Sequence, residues 1–213
     1  MNMYQPPARY SVPADIAEVE DVIKRSRFIG TAGLAATVED AHDFVNHVRG
    51  RFPDAGHHAW GYLVGIGIGS AADRGMSDDG EPNGTAGSPI LSRIDGSGLG
   101  DLVVVVTRYW GGIKLGKGGL VRAYGGTAGQ AIRALAVAEK VSKTTLHLDA
   151  VHYSHYGPLR GLIESCGGTV TNEAFGEAIN LDLEIPLDQL QTFAKTAADM
   201  TAGAILIDTT SEK

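Results

Sequence analysis

The chain has 213 residues, a formal net charge of −7 and a pI near 5.4. This length suits one large domain or two small ones with real cores, and the acidic balance argues against a generally basic nucleic-acid coat protein. The single cysteine, Cys166, excludes an internal disulfide and suits a reducing compartment. The first residues lack a basic stretch followed by an apolar core, and no apolar run approaches the about 20 residues of a membrane span. We therefore predict a soluble, cytoplasmic protein without a signal peptide or membrane contact.

The first two thirds of the chain predict strands that alternate with helices. Apolar residues recur at helical spacing over residues 38–52, and Pro53 stops that helix. These apolar residues are Ala41, Phe44, Val45 and Val48. The other predicted elements are short strands within residues 9–37, a strand over 57–68, a loop over Gly67–Gly87, a short helix with Thr85 as its cap, a strand over Asp101–Trp110 and a helix from Gly118 to Ala138.

The charge balance changes near Lys143. Residues 1–143 contain 15 basic and 15 acidic residues, whereas residues 144–213 contain 3 and 10. The second stretch predicts the order strand, helix, strand, strand, helix, strand, which is the split β-α-β pattern of a ferredoxin-like domain. We therefore predict an α+β protein with one domain over residues 1–142 and another over residues 143–213.

The glycine-rich stretch "GGIKLGKGG", Gly111–Gly119, follows the apolar run "DLVVVVTRYW". It fits the phosphate-binding pattern G-x-x-x-x-G-K-[ST] except at the last position, which is Gly118. In that pattern the missing hydroxyl ligates Mg²⁺, so a triphosphate hydrolase is a weak interpretation. The glycines alternatively serve only a tight turn. The interpretation we favour is a surface that binds phosphate or another anion, because the stretch from Arg108 to Lys143 contains seven basic residues and one acid.

The stretch "SDDGEPNGTAGSPIL" holds three acids, Asp78, Asp79 and Glu81, within four residues. These residues suit a solvated turn, because Asp, Gly, Pro and Asn are the usual turn residues. Converging carboxylates also suit a cation site or acid–base catalysis, but the spacing does not match an EF-hand. A third interpretation, which we favour, is that the acids order this loop against basic residues such as Arg108.

Two adjacent histidines, His57 and His58, begin the third predicted strand. On a strand they point to opposite faces, so they cannot easily bind one metal together. We expect one of them to face the loop cluster. The other is expected to be a hydrogen-bonded core or surface histidine.

Four stretches together carry a family resemblance: "KRSRFIG", "AGHHAWGY", "SDDGEPNGTAGSPIL" and "VVVVTRYWGGIKLGKGGLVRAYGG". In this order they resemble the YigZ/IMPACT family over about residues 20–140, and the rest resembles the family's small C-terminal domain more loosely. The resemblance implies a first domain with a left-handed β-α-β fold like domain IV of elongation factor G. It implies a second, ferredoxin-like domain similar to that factor's domain V. The chain departs from the family pattern at Gly56 and at Ala59, where a Cys is usual, so no thiol nucleophile is possible there.

The eukaryotic members of the family regulate translation under stress by binding a protein partner, so the resemblance implies a regulatory role. We expect a binding protein that docks on RNA, the ribosome or a translation factor, with no cofactor and no metal. An enzyme that acts on a phosphorylated or nucleotide-like small molecule is the alternative, and its catalytic residues are not identified. The candidate binding residues are Arg27, His57, His58, Asp78, Asp79, Glu81, Thr85, Arg108, Tyr109, Lys114, Lys117 and Arg122.

Overall fold

The structure, a computed structural model, describes residues 7–66, 72–205 and 207. These residues form two compact units, divided between Lys140 and Val141. Each unit combines helices with an antiparallel sheet, so the predicted α+β class is confirmed. The predicted division between residues 142 and 143 remains a prediction about independent folding.

The first unit alternates strands with three helices and ends in a strand that runs to the division between the units. Its elements in chain order are β1 (Arg9–Pro13), β2 (Ala17–Ile23), β3 (Ser26–Leu34), α1 (Val38–Arg51), β4 (His57–Val64), β5 (Asp73–Ser77), α2 (Gly87–Asp95), β6 (Leu102–Tyr109), α3 (Lys117–Ala134) and β7 (Val137–Val141).

A five-stranded antiparallel sheet with the order β2-β3-β6-β4-β5 forms the centre of this unit. Along its central strand β6, Val104 and Val106 lie in a core with residues of α2 and α3. Val103 and Val105 lie in a second core with residues of α1. Both faces of β6 are therefore covered, which is why its sequence is an unbroken apolar run and not an alternating one.

Helix α1 begins with a capping box. The Thr37 hydroxyl accepts a hydrogen bond from the Asp40 N–H at 3.0 Å, and the Asp40 carboxylate accepts one from the Thr37 N–H at 2.9 Å. The helix buries the apolar stripe predicted for it, including Val45 and Val48, and it ends before Pro53.

The strand β7 pairs with β1, outside the main sheet, and is anchored by a buried acid. The carboxylate of Asp101, which is 1% exposed, accepts a hydrogen bond from Lys140 Nζ at 2.6 Å. The Tyr10 hydroxyl and the Gly65 N–H donate to the same carboxylate at 3.0 and 2.7 Å. Because a buried charge is costly unless it is paired, this contact fixes the end of the first unit.

The second unit contains β8 (Lys143–Val151), α4 (Tyr153–Ser165), β9 (Thr169–Phe175), β10 (Ile179–Pro186) and α5 (Leu190–Met200). Its described strands form an antiparallel sheet with the order β8-β10-β9, as the split β-α-β pattern requires. Apolar residues of β10 and both helices, such as Leu181, Ile163 and Phe193, form its core. The last predicted strand falls largely on residues 206 and 208–213, which lie outside the described residues.

None of the described helices is both long enough and apolar enough to cross a bilayer.

The strand predicted over residues 57–68 ends at Val64, and residues 67 and 68 lie outside the described residues. Two further predicted elements differ from the structure. The predicted loop Gly67–Gly87 contains the edge strand β5, whose sequence "DRGMS" has little apolar content and which is held by backbone pairing with β4. The helix predicted to reach Ala138 ends at Ala134, because Leu135 is extended and the chain then enters β7. In both cases strand pairing outweighed the local sequence preference.

We expect a fragment of residues 1–142 to fold alone and to melt cooperatively, because it retains β7 and the bond from Lys140 to Asp101. A fragment that ends at residue 134 should melt at a lower temperature, since the buried carboxylate loses its cation. Circular dichroism melts of both fragments and of the full chain measure this. An unfolded 1–142 fragment beside a cooperative full chain would contradict the two-domain organisation.

Candidate functional site

One end of the five-stranded sheet brings two predicted site residues, Arg108 and His57, together. In the sheet register Arg108 of β6 lies opposite Phe28 of β3 and His57 of β4. Arg108 is buried, and its guanidinium lies 5.5 Å from the centre of the Phe28 ring. The α3 side of the sheet thus presents an arginine and a histidine next to each other.

Arg108 forms a buried ion pair with Glu81. The two atoms Arg108 Nη1 and Glu81 Oε1 are 2.5 Å apart, and the Glu81 side chain is 3% exposed. The Tyr124 hydroxyl of α3 donates to the same Oε1 at 2.7 Å. Burial, and then the Glu81 carboxylate, raise the pKa of Tyr124 far above its usual value, so the hydroxyl remains a donor. This cluster of Glu81, Arg108 and Tyr124 joins the acidic loop to β6 and α3.

Asp78, the first acid of this stretch in the sequence, caps helix α2. Its Oδ1 accepts hydrogen bonds from the N–H groups of Ala86 and Gly87, both at 2.9 Å. Its Oδ2 accepts one from the Gly84 N–H at 2.8 Å. One carboxylate therefore accepts hydrogen bonds from three backbone N–H groups at the start of a helix. The start of a helix is a favoured position for an acid.

The prediction that Thr85 caps this helix is wrong. The N-cap residue is Ala86, which has no side-chain hydrogen bond to the helix. The Thr85 hydroxyl donates instead to the Pro82 carbonyl at 2.6 Å. The capping acid, Asp78, is eight residues before the N-cap, because the turn between them brings the carboxylate back to the helix.

Asp79 connects the acidic loop to α1 and β4. Its Oδ1 lies 2.6 Å from Arg49 Nη2, and its Oδ2 accepts the His58 N–H at 2.6 Å. Its φ of 47° places it in the left-handed region, which Asp and Asn tolerate better than most residues. Asp79 therefore pairs with a basic residue as expected for the loop, although that residue lies on α1 and not in the glycine-rich stretch.

The two adjacent histidines lie on opposite faces of the sheet, as predicted. His57 Nδ1 lies 2.7 Å from the Asp79 carbonyl, which only accepts, so His57 Nδ1 carries the proton of that bond. Its Nε2 lies 4.0 Å from Glu81 Oε1. His58 Nδ1 contacts the Thr107 hydroxyl at 3.0 Å, and burial lowers the pKa of His58. His57 thus faces the loop cluster, while His58 is the hydrogen-bonded core histidine.

A cleft of about 510 Å³ opens beside the buried ion pair. We call it the α3 cleft, because it extends along the start of α3. Basic and apolar side chains share its walls. Its lining residues are His57, Pro82, Arg108, Trp110, Lys114, Leu115, Gly116, Lys117 and Leu120.

Five exposed cations lie in segments that line or adjoin the α3 cleft, and they form no described ion pair. Two of them line it, one follows on α3, and two stand in the turn between β2 and β3. Among the described residues, none of the five forms an ion pair. They are Lys24, Arg25, Lys114, Lys117 and Arg122.

The β2–β3 turn lies against the glycine-rich loop at Gly111. The Gly111 N–H donates to the Ser26 hydroxyl at 3.1 Å, and a Cβ at position 111 would overlap the backbone carbonyl of Arg25. Only glycine allows this close approach. The two segments that carry these cations, the β2–β3 turn and the glycine-rich loop, are therefore adjacent, and we call them together the basic surface.

The start of α3 supplies further positive potential. Its N-cap, Gly116, offers no side chain to the free N–H groups of the first turn. Gly118 lies in that turn, and a Cβ there would meet only the end of the Arg122 side chain, at 3.6 Å. The preceding strand β6 is antiparallel to both of its neighbours, unlike the strand of a triphosphate-binding loop. The loop thus has anion-binding features without the architecture of a nucleotide hydrolase.

Arg27 and Tyr109 are among the predicted site residues that do not line the α3 cleft. Arg27 binds Glu20 through two hydrogen bonds of 2.8 and 2.9 Å, and it covers the ring of Tyr109 at 5.1 Å. The Tyr109 hydroxyl donates to Asp54 at 2.8 Å. Both residues are thus engaged in surface contacts of the sheet.

Sequence reasoning missed several residues of the site. Trp110 follows β6, two residues after Arg108, and this spacing on a strand was a usable sign that the two share a face. No comparable signal marked Lys24 and Arg25, because only the fold brings them next to Gly111. Within residues 7–66, 72–205 and 207, no three His, Cys, Asp or Glu side chains are grouped to hold a metal ion.

Comparison with known families matches both parts of the chain. The Impact N-terminal domain matches residues 24–132, which include all of the α3 cleft. A domain of unknown function, DUF1949, matches residues 150–204. The chain is therefore a two-domain protein built on an Impact N-terminal domain.

Whole-chain relatives agree with this assignment. The chain is 39% identical over 194 residues to the IMPACT family member YigZ of Escherichia coli K12, covering 91% of this chain and 94% of the relative. It is 38% identical to an IMPACT family member of Haemophilus influenzae, with 94% and 96% of the two chains covered. The chain belongs to the IMPACT family.

Two solved structures are also similar. The crystal structure of a hypothetical protein matches with a TM-score of 0.75 and 37% identity over 95% of this chain and 98% of the other. The two-domain translational regulator Yih1 matches with a TM-score of 0.37 and 19% identity over 62% of this chain and 47% of the other. The second likeness is too low to bear on the function of this chain.

We expect Asp79→Asn to lower the free energy of unfolding by about 1–3 kcal/mol, because it removes charged hydrogen bonds in a partly buried loop. Asn tolerates the positive φ at this position, so backbone strain does not contribute. The control is Asp95→Asn, which breaks the exposed pair with Arg74 and should change stability by less than about 0.5 kcal/mol. Urea unfolding measures both variants. Equal midpoints for Asp79→Asn and wild type would leave the stretch an ordinary solvated turn.

A second prediction concerns pH. Burial raises the pKa of Asp78, but the N–H groups of Gly84, Gly87 and Ala86 lower it more, and the net pKa is below the ordinary value of 3.8. The stabilising contribution of this carboxylate is therefore complete above pH 3.8 and is lost as pH falls through the lower folded-state pKa.

Asp78→Asn should cost about 0.5–2 kcal/mol near neutral pH, because its amide nitrogen cannot accept from a backbone N–H. The difference from wild type should stay constant from about pH 6 down to pH 3.8 and shrink below pH 3.8, as the wild-type carboxylate becomes protonated. Urea unfolding across this range measures the difference. A difference that stays constant with pH would show that the charge of Asp78 does not contribute.

Proposed function

We propose that the protein is a translation-associated binding protein that docks on RNA, free or within the ribosome, through the α3 cleft. The observation that carries the proposal is the group of exposed cations at this cleft that form no ion pair with any residue the structure describes, in a chain whose net charge is −7. Exposed lysines and arginines that lack acidic partners bind phosphate groups and release counterions when they do so. The translation-associated role is an expectation from the family resemblance.

The acids near the α3 cleft do not repel an anionic partner, because each of them is paired. Glu81 is held by Arg108 and Tyr124, and its side chain is 3% exposed. Asp78 and Asp79 are bound to backbone donors and, for Asp79, to Arg49. The acids of this region thus order the loops, while the lysines at the start of α3 remain available.

An enzyme acting on a phosphorylated small molecule is the alternative, and one observation favours it. His57 lines the α3 cleft, its Nδ1 is fixed by the Asp79 carbonyl, and its Nε2 makes no described hydrogen bond. A histidine held in this way can act as a general base. The three acids considered as bases from the sequence are all engaged in hydrogen bonds, which makes His57 the better candidate.

The test is the double substitution Lys114→Ala with Lys117→Ala, assayed by RNA binding over a series of salt concentrations. We expect weaker binding and a shallower salt dependence, because each lost phosphate contact removes about 0.7 from the log–log slope for single strands. The matched control is Lys143→Ala with Lys195→Ala, which removes two lysines from the second unit and should leave the slope unchanged.

Three results would count against the proposal. RNA binding by the double variant equal to that of wild type, or no RNA binding by wild type, would leave a protein factor as the partner of the basic surface. Mg²⁺-dependent nucleotide hydrolysis that is lost in Lys117→Ala would favour the enzyme. Hydrolysis lost in His57→Gln, without Mg²⁺ dependence, would identify the histidine as its base.

A further inference from the structure

Trp110 is the most unusual side chain at the α3 cleft. It is 66% exposed, although tryptophan is highly buried on average in folded proteins. It directly follows β6 and lines the α3 cleft together with Lys114 and Lys117. A large aromatic ring therefore stands in solvent beside the cations assigned to phosphate.

The ring of Trp110 has no partner in the described part of the chain. None of the described ring contacts or cation–ring contacts involves it. The other tryptophan, Trp60, behaves differently, because it stacks on Tyr62 with ring centres 5.7 Å apart and planes inclined by 9°. His42 also contacts the Trp60 ring edge-on. Of the two tryptophans, Trp60 packs against a core, whereas Trp110 is exposed and makes no described ring contact.

Exposed aromatic rings beside a basic groove are the combination that binds single-stranded nucleic acid. The bases stack on the rings while the cations hold the backbone. A double helix cannot use such a ring, because its bases are already stacked and paired. The volume of the α3 cleft, about 510 Å³, is in the range of sites that hold one small ligand, so it suits a nucleotide and not a duplex.

We infer that the α3 cleft takes a single-stranded segment of RNA with one unpaired base stacked on Trp110 and the adjoining phosphates on Lys114 and Lys117. The inference rests on the proposed function and adds the class of RNA and the group that recognises it. The apolar lining residues Pro82 and Leu115 suit the flat base, whereas the lysines suit its backbone. Stacking accepts any base, so the surface selects unpaired strands and not a sequence.

The experiment compares three labelled RNAs of equal length, about 12 nucleotides, which is within the usual site size of single-strand binders. The first is a single strand of adenosines, the second is a duplex, and the third has abasic ribose units at every position. The abasic strand keeps the phosphates but has nothing to stack. Each is titrated against wild type, Trp110→Ala, Trp110→Phe and the control Trp60→Phe.

We expect wild type to bind the adenosine strand more tightly than the duplex or the abasic strand. Trp110→Ala should weaken binding of the adenosine strand by about 5- to 150-fold, the effect of one stacked base. It should leave abasic binding unchanged, because the lysines remain. Trp110→Phe should retain part of the affinity, and Trp60→Phe should bind as wild type does. Thermal melts of the variants check that the exposed substitution leaves the fold intact.

Fluorescence gives a direct readout of the same contact. The chain has two tryptophans, so Trp60→Phe leaves Trp110 as the one indole. Adding the adenosine strand to this variant should quench the emission, because a stacked base covers the ring. The abasic strand should bind without this quenching.

The outcomes separate the inference from the proposed function. Equal binding of the adenosine strand by Trp110→Ala and wild type, or a duplex bound as tightly as the single strand, would overturn the inference and leave phosphate docking in place. Equal quenching by the abasic strand would overturn it as well. If wild type bound none of the three RNAs, the proposed function would fail, and the inference would fail with it.

Discussion

The first unit depends on one buried carboxylate. Glu81 is almost wholly enclosed, so its charge must be met by Arg108 and its remaining lone pairs by Tyr124. Loss of one partner from such a pair costs about 3–5 kcal/mol, because an uncompensated charge stays buried. The three residues come from the acidic loop, from β6 and from α3. One interaction therefore fixes the positions of three chain segments at the end of the sheet.

The same interaction determines the electrostatics of the α3 cleft. Because Arg108 neutralises Glu81, no free negative charge from this acid faces the lysines across the cleft. Asp78 and Asp79 are turned toward helix α2 and toward Arg49. The acidic stretch thus orders the loops, while Lys114 and Lys117 form no described ion pair.

Much of the fold followed from the sequence, because its strongest signals are local. The valine run of β6, the capping box of α1 and the second unit's element order depend on side chains near each other in sequence. The edge strand β5 could not be found in this way, since backbone pairing and not side-chain pattern holds it. The early end of α3 has the same cause, because pairing of β7 with β1 competes with the helix.

The site was predictable in type but not in geometry. Motif spacing indicated acids and cations in two stretches, and the structure pairs Glu81 with Arg108 across 27 positions of the chain. Motif spacing could not indicate that Arg49 of α1 forms an ion pair with Asp79, because local sequence carries no information about which elements pack together. Nor could it place Ser26 against Gly111, which are 85 positions apart. The contribution of the β2–β3 turn to the basic surface is therefore visible only in three dimensions.

The open space at Gly118 bears on the origin of the glycine-rich loop. A side chain at that position would meet only the mobile end of Arg122, so a serine could be introduced without displacing the backbone. A single substitution, Gly118→Ser, would thus complete the triphosphate-binding pattern, and no steric clash at this position prevents it. The two loops differ instead in the direction of their strands, because β6 is antiparallel to both neighbours. Their similarity in sequence therefore does not extend to the sheet from which each loop leaves.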